Sequence, residues 1–462
     1  MFFMNLHHVI FEALYEIKLT RRNLLFNMFV FFALLTTISF TFISFSESDK
    51  IEFGEFYLPW VVQALPSSIP FMTAYYYNFV QVLMVFFMVS NDLRRLRFTT
   101  ISALEARPQD NSDTIIGKFL GRVAIFSLVN VLIYSVMICY NLIYYPRVLN
   151  ISYYFFYGIT LNFPVLIYFL SLSILVSRFI NNQGISILFL LFFCVGTTIC
   201  GAGVMNNLFD PFARYIPNLF SDFVGHTQLK CFLLHQTIYL LMGICFLILS
   251  ILVYRRLPNN IHQVRSVLVF AMFPFILSVI FIAFYMGNFM RVERNKNEYR
   301  QFYFEYEHVL KNRVLSNEIR LRDLGKKGVA VESKMKIVNK NEEQIPVLLY
   351  LNPGLTVNGI KNGSVNLSFE RKGPVILVDK QLAAEDTCDL IVSYEGIVDN
   401  DVCHLDQFAV PGYQRLNENR RGIYSLGTQP AYCVNNYKLF TPEVLWYPTC
   451  VPPTCFSFFR NM

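Results

Sequence analysis

The chain has 462 residues and a formal net charge of +7; 54% of its side chains are hydrophobic and only 15% are charged, with a mean hydropathy of +0.42. A soluble chain carries about 25% charged residues, so this one lacks the polar surface to cover itself. Disordered, collagen-like and small disulfide-framework classes are excluded too, which leaves an integral membrane protein.

At the N-terminus, Leu6, Val9, Ile10, Ala13, Leu14 and Ile17 recur at helical spacing, while His8, Glu12, Glu16 and Lys18 face elsewhere. Residues 1–22 therefore predict an amphipathic cytoplasmic entry helix lying in the membrane interface and ending at Arg21-Arg22, or else a plain extension of the first span.

Crossing a hydrocarbon core of ~30 Å takes about 20 apolar residues as a helix. Seven stretches meet this within residues 23–290: 23–45, 70–90, 117–145, 153–177, 185–204, 231–254 and 266–290. The fifth is short and is weakened by Gly196, Gly201 and Gly203. Lys18, Arg21, Arg22, Arg94, Arg95, Arg97, Arg107, Lys118, Arg122, Arg178, Arg255, Arg256 and Arg265 would lie on one side, against Lys50, Arg147, Arg214 and Lys230 on the other. That asymmetry puts the N-terminus in the cytoplasm, and an odd number of spans then puts the C-terminal part outside.

The longest cytoplasmic connection, Asn91–Thr114, has a charged start, Leu93, Leu96, Ile101 and Leu104 at helical spacing, and a stop at Pro108. It reads as a surface helix that a partner's groove would accept, or as a solvated loop whose arginines enforce topology. Within the spans the polar residues at depth are His235, Gln81, Asn130 and Asn162, with no acidic or basic relay of the kind ion-coupled transport needs. His235 by itself reads as a packing residue.

Beyond Met290 charge density becomes that of a soluble domain. Residues 291–325 predict a juxtamembrane helical stalk. From Val329 the period changes to two, and strands are expected at Val329–Ile337, Ile345–Leu351, Val365–Phe369, Val375–Val378 and Leu390–Tyr394, separated by Asn352-Pro-Gly, Asn362-Gly and Lys372-Gly-Pro turns. Residues 326–448 are thus an antiparallel β-domain, followed by a short tail, 449–462. The fold class is an α-helical polytopic membrane protein of about seven spans with a C-terminal antiparallel β-domain.

Chemistry-bearing motifs are sparse. Gly354-Leu-Thr-Val-Asn-Gly359-Ile-Lys falls short of a phosphate loop, lacking Lys directly after the second Gly. Cys388, Cys403, Cys433, Cys450 and Cys455 would be free to form disulfides in an external compartment, with one left over. Cys450 and Cys455 have no second Cys/His pair, so no metal site is assigned.

Phe11-Glu-Ala-Leu-Tyr-Glu-Ile-Lys18 leading into Arg21-Arg22, then Asp92-Leu-Arg-Arg-Leu-Arg, Arg107-Pro108 and Gly117-Lys118-Phe-Leu-Gly121, resemble type-2 ABC exporter permeases over about residues 5–260. The resemblance implies a dimeric pathway of six spans per subunit, a separate cytosolic ABC ATPase that holds the ATP and Mg, and contact with it through the entry helix and first cytoplasmic loop. Glu12, Glu16, Asp92, Arg94, Arg95, Glu105 and Arg107 are the coupling residues it suggests. This chain would carry no cofactor of its own, work as a homodimer or paired permease in the plasma (inner) membrane, and have no nucleic-acid partner.

Ser333-Lys-Met-Lys-Ile-Val-Asn339, Leu349-Tyr-Leu-Asn-Pro-Gly354, Val365-Asn-Leu-Ser-Phe369, Val392-Ser-Tyr-Glu-Gly396 and Leu445-Trp-Tyr-Pro448 resemble the N-terminal β-domain of aminopeptidase N-type zinc metallopeptidases. None of the seven His residues opens the H-E-x-x-H that such chemistry requires, and no catalytic residue is assigned. The β-domain is then a retained binding module, a dock for a separately encoded peptidase portion, or a generic β-sandwich. Two rival functions follow: a non-catalytic front portion of a split or truncated zinc aminopeptidase, and a membrane scaffold or sensor reading an external ligand.

Overall fold

Long runs of Leu, Phe, Ile and Val with few breakers satisfy their backbone readily as helices, and nine α-helices arise among the described residues. The computed structural model describes residues 5–46, 66–98, 110–180, 182–201, 204–213, 216, 220–221, 225–226, 229–254, 261–402, 405, 431–435 and 437–452. These residues fall into two compact units, broadly up to Met286 and from Gly287 onward.

The first unit is helical. It contains α1 (Leu6–Arg21), α2 (Leu24–Ser46), α3 (Ile69–Phe98), α4 (Asn111–Tyr144), α5 (Ile151–Tyr157), α6 (Phe163–Phe179), α7 (Gln183–Val195), α8 (Leu229–Val253) and the first part of α9 (Ile261–Glu305). A π-helical segment, Gly158–Asn162, joins α5 to α6, and another, Gly196–Cys200, extends α7. Among the described residues six helices are long and apolar enough to cross a membrane: Leu24–Ile43, Ile69–Asn91, Asn111–Tyr144, Ile151–Phe179, Leu229–Val253 and Val264–Glu305. The segment predicted as a fifth span is the shorter apolar helix Gln183–Ile199. Its glycines end it early, as the sequence foreshadows.

α3 and the α5–α6 pair form the centre of this bundle, while α2 and α9 expose most of their surface. α6 and α8 pack parallel to one another. Phe156 lies against Phe232 at 6.2 Å, the Tyr168 ring against Tyr239 at 4.9 Å and Phe246 at 5.8 Å, and the Arg178 guanidinium over the Tyr254 ring at 4.6 Å, so both helices run the same way. Gly243 makes this approach close, since a Cβ there would sit 2.9 Å from the Tyr168 backbone.

After α7 the chain folds back into the bundle over residues 204–213, burying Asn207, Leu208, Asp210, Phe212 and Ala213; Ile216 is buried too. Phe212 stacks on Phe79 at 4.4 Å. Irregular backbone at such depth needs donors from its surroundings. They are present: Tyr285 Oη donates to Asn206 O at 2.7 Å, Tyr239 Oη to Leu208 O at 2.7 Å, Gln236 Nε2 to Pro211 O at 3.3 Å, and His235 Nε2 lies 3.2 Å from Asn207 O. His235 is therefore a packing residue with a defined partner.

The second unit holds two antiparallel sheets around one core. One has the order β1 (Arg313–Asp323), β2 (Val329–Val338), β8 (Thr387–Gly396), β4 (Leu355–Asn362), β5 (Val365–Leu367); the other has β3 (Ile345–Tyr350), β7 (Val375–Leu382), β6 (Phe369–Lys372). A hairpin, β9 (Ala431–Val434) with β10 (Tyr437–Phe440), completes it. Alternation puts Val329, Val331, Met335 and Ile337 inward beside Cys388, Leu390, Val392 and Tyr394. Two expectations are corrected, the extent of the stalk and the strand at Val365–Phe369. The helical stalk ends at Glu305, and residues 313–323 are an edge strand whose Val314 and Ile319 pack on the core while its charges face out. The stretch resembling a phosphate loop is mostly β4, so its backbone is engaged in ladders with β8 and β5. Val365–Phe369 is two strands, with Ser368 marking the passage between sheets.

Asn352 ties two of the quoted motif segments together, Leu349–Gly354 and Leu445–Pro448. Its Nδ2 donates to Asp399 O at 2.8 Å and Val444 O at 2.6 Å, its Oδ1 accepts from Gly354 N and Asp399 N, and its backbone N–H donates to Leu445 O. Tyr394 Oη in turn donates to Trp446 O at 3.1 Å. Cys388, Cys433 and Cys450 are free thiols, while Cys403 and Cys455 lie outside the described residues.

Candidate functional site

At one end of the helical unit α1 meets the start of α4, and Glu12 and Glu16, two of the coupling residues that the sequence suggests, lie in that contact. Asn5 caps α1, its Oδ1 accepting from His7 N at 3.2 Å, and Asn5 N donates to the buried Asp113 carboxylate in the first turn of α4 at 3.3 Å. His8 Nδ1 stands 3.8 Å from the same carboxylate. A carboxylate at the N-terminus of a helix also complements its dipole. α1 is thus seated on α4 at its first residue.

Along the helix the contact tightens. Gly117 and Gly121, one turn apart, present no side chain toward α1. A Cβ on Gly117 would sit 2.6 Å from Glu12 Cβ, and one on Gly121 would sit 2.5 Å from Ala13 O and 2.9 Å from Glu16 Cβ. Two small residues at this spacing let helix backbones approach closely within a bilayer. Just past them, Arg122 donates to Glu16 Oε1 through both Nε and Nη2, each at 2.7 Å. Both residues are 4% exposed.

The predicted apolar stripe of α1 consequently divides. Val9 is buried with Glu16 and Thr20, whereas Leu6, Ile10, Phe11, Leu14 and Tyr15 are exposed. The face turned away from the bundle is the greasy one, and the acids point inward. Neighbouring elements meet at the same end: Asn111 Nδ2 donates to Tyr254 O at 3.2 Å beyond α8, Ile115 packs with Ile251, Tyr254 and Val267, and Asn23 Nδ2 approaches Met88 Sδ at 3.7 Å. The start of α4 is therefore a neighbour of α1, and α3 reaches the α1–α2 junction at Met88.

Of the seven suggested coupling residues, Glu12 and Glu16 lie on the α4-facing side of α1, so neither is a free surface acid. Asp92, Arg94 and Arg95 fall in the last turns of α3, and Glu105 and Arg107 lie outside the described residues. Sequence reasoning took Arg122 as a topology charge and missed its pairing with Glu16. The available signal was a basic residue directly following a Gly-x-x-x-Gly pair, opposite a helix whose acids recur one turn apart. Among the described residues no group of three or more His, Cys, Asp or Glu is arranged to hold a metal ion. Comparison with protein-family models and with curated proteins finds no match to this chain.

Proposed function

We propose that this chain is the membrane permease subunit of an ATP-driven ABC exporter, coupled to a separate cytosolic ATPase. The observation that carries the reading is the α1–α4 clamp: two glycines and a buried ion pair make α1 and the start of α4 one rigid piece, beside the α3–α4 connection. A force applied there reaches α4 without being lost in a loose joint. Glu12 and Glu16 serve as internal transmitters, while Asp92, Arg94, Arg95, Glu105 and Arg107 make the outward contact. ATP and Mg belong to the partner, and two copies of the subunit face one another.

Seven traverses fit this reading. Helices α6 and α8 run parallel, which supports a return across the bundle between them, and α7 is the segment we read as making it. Its 17-residue apolar helix covers about 25 Å at ~1.5 Å per residue, short of a ~30 Å core. The segment that follows, with Asn207, Leu208, Asp210, Phe212 and Ala213 buried, is read as filling the remaining depth. With Lys and Arg enriched at the α1 end, the N-terminus is cytoplasmic and the β-unit external. The exposed apolar face of α1 suits the membrane interface.

The test is affinity purification of the tagged full chain from its native membrane, with bound ATP hydrolysis measured. An ATP-hydrolysing polypeptide should accompany the chain, and reversing Asp92, Arg94, Arg95, Glu105 and Arg107 together should remove it. Absence of such a polypeptide, or its undiminished recovery with the reversed variant, overturns the assignment. Impermeant maleimide on Cys-free chains carrying Ser102→Cys or Ser368→Cys should label only the latter in intact cells.

A further inference from the structure

The α5–α6 junction is not a continuous α-helix. Its π-helical segment Gly158–Asn162 shifts the register, and such segments concentrate at functional positions. Gly158 permits the shift against α4, because a Cβ there would stand 2.9 Å from the Tyr134 ring. Asn162 O is left to accept from Gln81 Nε2 of α3 at 3.3 Å, and the same nitrogen lies 3.5 Å from Asn78 Oδ1.

Around this junction polar atoms go unanswered. Tyr77, Asn78, Gln81 and Asn162 are each fully buried, yet Tyr77 Oη, Asn78 Nδ2, Gln81 Oε1 and both side-chain atoms of Asn162 have no hydrogen-bond partner. Tyr134 Oη, which neighbours Tyr77, and Asn130 Oδ1, one turn along α4, are in the same condition. Orphaned polar groups in an apolar bundle are costly, and native interiors nearly always supply a partner. This set comes from three different helices and is made of amides and phenols alone. It offers donors and acceptors together, so its occupant carries both. An ion would leave half of these groups with the wrong sign and would bring an uncompensated desolvation penalty.

We propose that Asn78, Gln81, Asn130 and Asn162, with Tyr77 and Tyr134, form an internal site for small neutral hydrogen-bonding groups, held by ordered water in the resting subunit. Buried waters typically take about three bonds each from such otherwise unsatisfied groups. The site lies within one subunit and needs no partner protein. Water at this depth gives the centre of the bundle a polar spot whose guest can be exchanged when the helices shift.

X-ray-generated hydroxyl-radical labelling reads water directly, because the radical forms where the water is bound. The full chain in lipid nanodiscs is exposed and the modified residues are quantified by mass spectrometry. Tyr77 should be oxidised about tenfold faster than Tyr394, which is equally buried in the β-unit core but has its Oη satisfied by Trp446 O. Phe126 and Phe169, equally buried in the helical unit, should remain at the core rate. In Asn162→Leu and, separately, Gln81→Met, the Tyr77 rate should fall to that of Tyr394 while the melting temperature is kept or raised. Tyr77 reacting no faster than Tyr394 in the wild-type chain overturns the proposal. So does a Tyr77 rate unchanged in both variants. Should one variant fail to fold, the other decides.

Discussion

Gly121→Ala is the sharpest probe of the clamp. The added methyl would sit 2.5 Å from Ala13 O and 3.1 Å from Ala13 Cα, both backbone atoms that cannot swing aside. Ordinary carbon–oxygen contact begins near ~3.4 Å, so α1 must retreat by roughly 0.9 Å along that line, which loosens the Glu16–Arg122 bonds behind it. Overpacking of this kind costs about 1–3 kcal/mol. At an unfolding entropy near ~2 cal/mol/K per residue, 2 kcal/mol in a unit the size of Met1–Met286 is roughly a 3 °C fall in Tm. Gly196→Ala is the matched control, since nothing lies within 4 Å of a Cβ there. The assay is thermal unfolding of both variants in nanodiscs. A Gly121→Ala melt equal to wild type would refute the close packing of α1 on α4.

Other outcomes follow from the same geometry. Glu16→Gln removes the carboxylate that two Arg122 nitrogens hold at 2.7 Å and should destabilise by about 3–5 kcal/mol, whereas Glu16→Met with Arg122→Leu should be near neutral; identical melts for the single and double variants would show that the two residues are not coupled. Asn352→Leu strands the carbonyls of Asp399 and Val444 and the N–H groups of Gly354 and Asp399, at about 1–3 kcal/mol each. In a Trp60→Phe background Trp446 is the single tryptophan, and its urea unfolding curve should move to lower urea by at least about 3 kcal/mol. Burial pushes the Lys311 ammonium down to about 8. Its folded pKa is below the unfolded one, so the β-unit binds fewer protons than the unfolded chain between about pH 8 and 10.5 and grows more stable as pH rises through that window. The Trp446 curve should follow this rise, and Lys311→Met should flatten it.

Hydropathy makes the helices legible because a bilayer demands about 20 apolar residues whatever their order. It blurs where that demand relaxes: Gln183–Ile199 is apolar but shorter than the other six, and the parallel packing of α6 and α8 on either side of it is a long-range fact absent from any local window. The strands Val329–Val338 and Thr387–Gly396 were readable from alternation, having one face on the core. Arg313–Asp323 was not, since an edge strand anchored by Val314 and Ile319 has charges nearly everywhere else and reads as a stalk. At the clamp, the amphipathic character of α1 was visible but not which face turns inward. In water the acids would face out; here an arginine on α4 reverses the choice. Gln81, Asn130 and Asn162 stood out as polar at depth, but their convergence depends on a register shift at Gly158 that only the folded helix reveals.

The loop entering the bundle after α7 adopts left-handed backbone at Met205, Asn206, Asn207 and Ala213, none of them glycine. Each such residue costs of order 1–3 kcal/mol that its neighbours must offset. The offset comes from two helices at once: Tyr239 and His235 on α8 hold Leu208 and Asn207, and Tyr285 on α9 holds Asn206. Conformational strain pulls the loop away and a pair of separate grips keeps it in. The loop is therefore a gauge of the α8–α9 spacing, seated while the two helices stay together and sprung once they part.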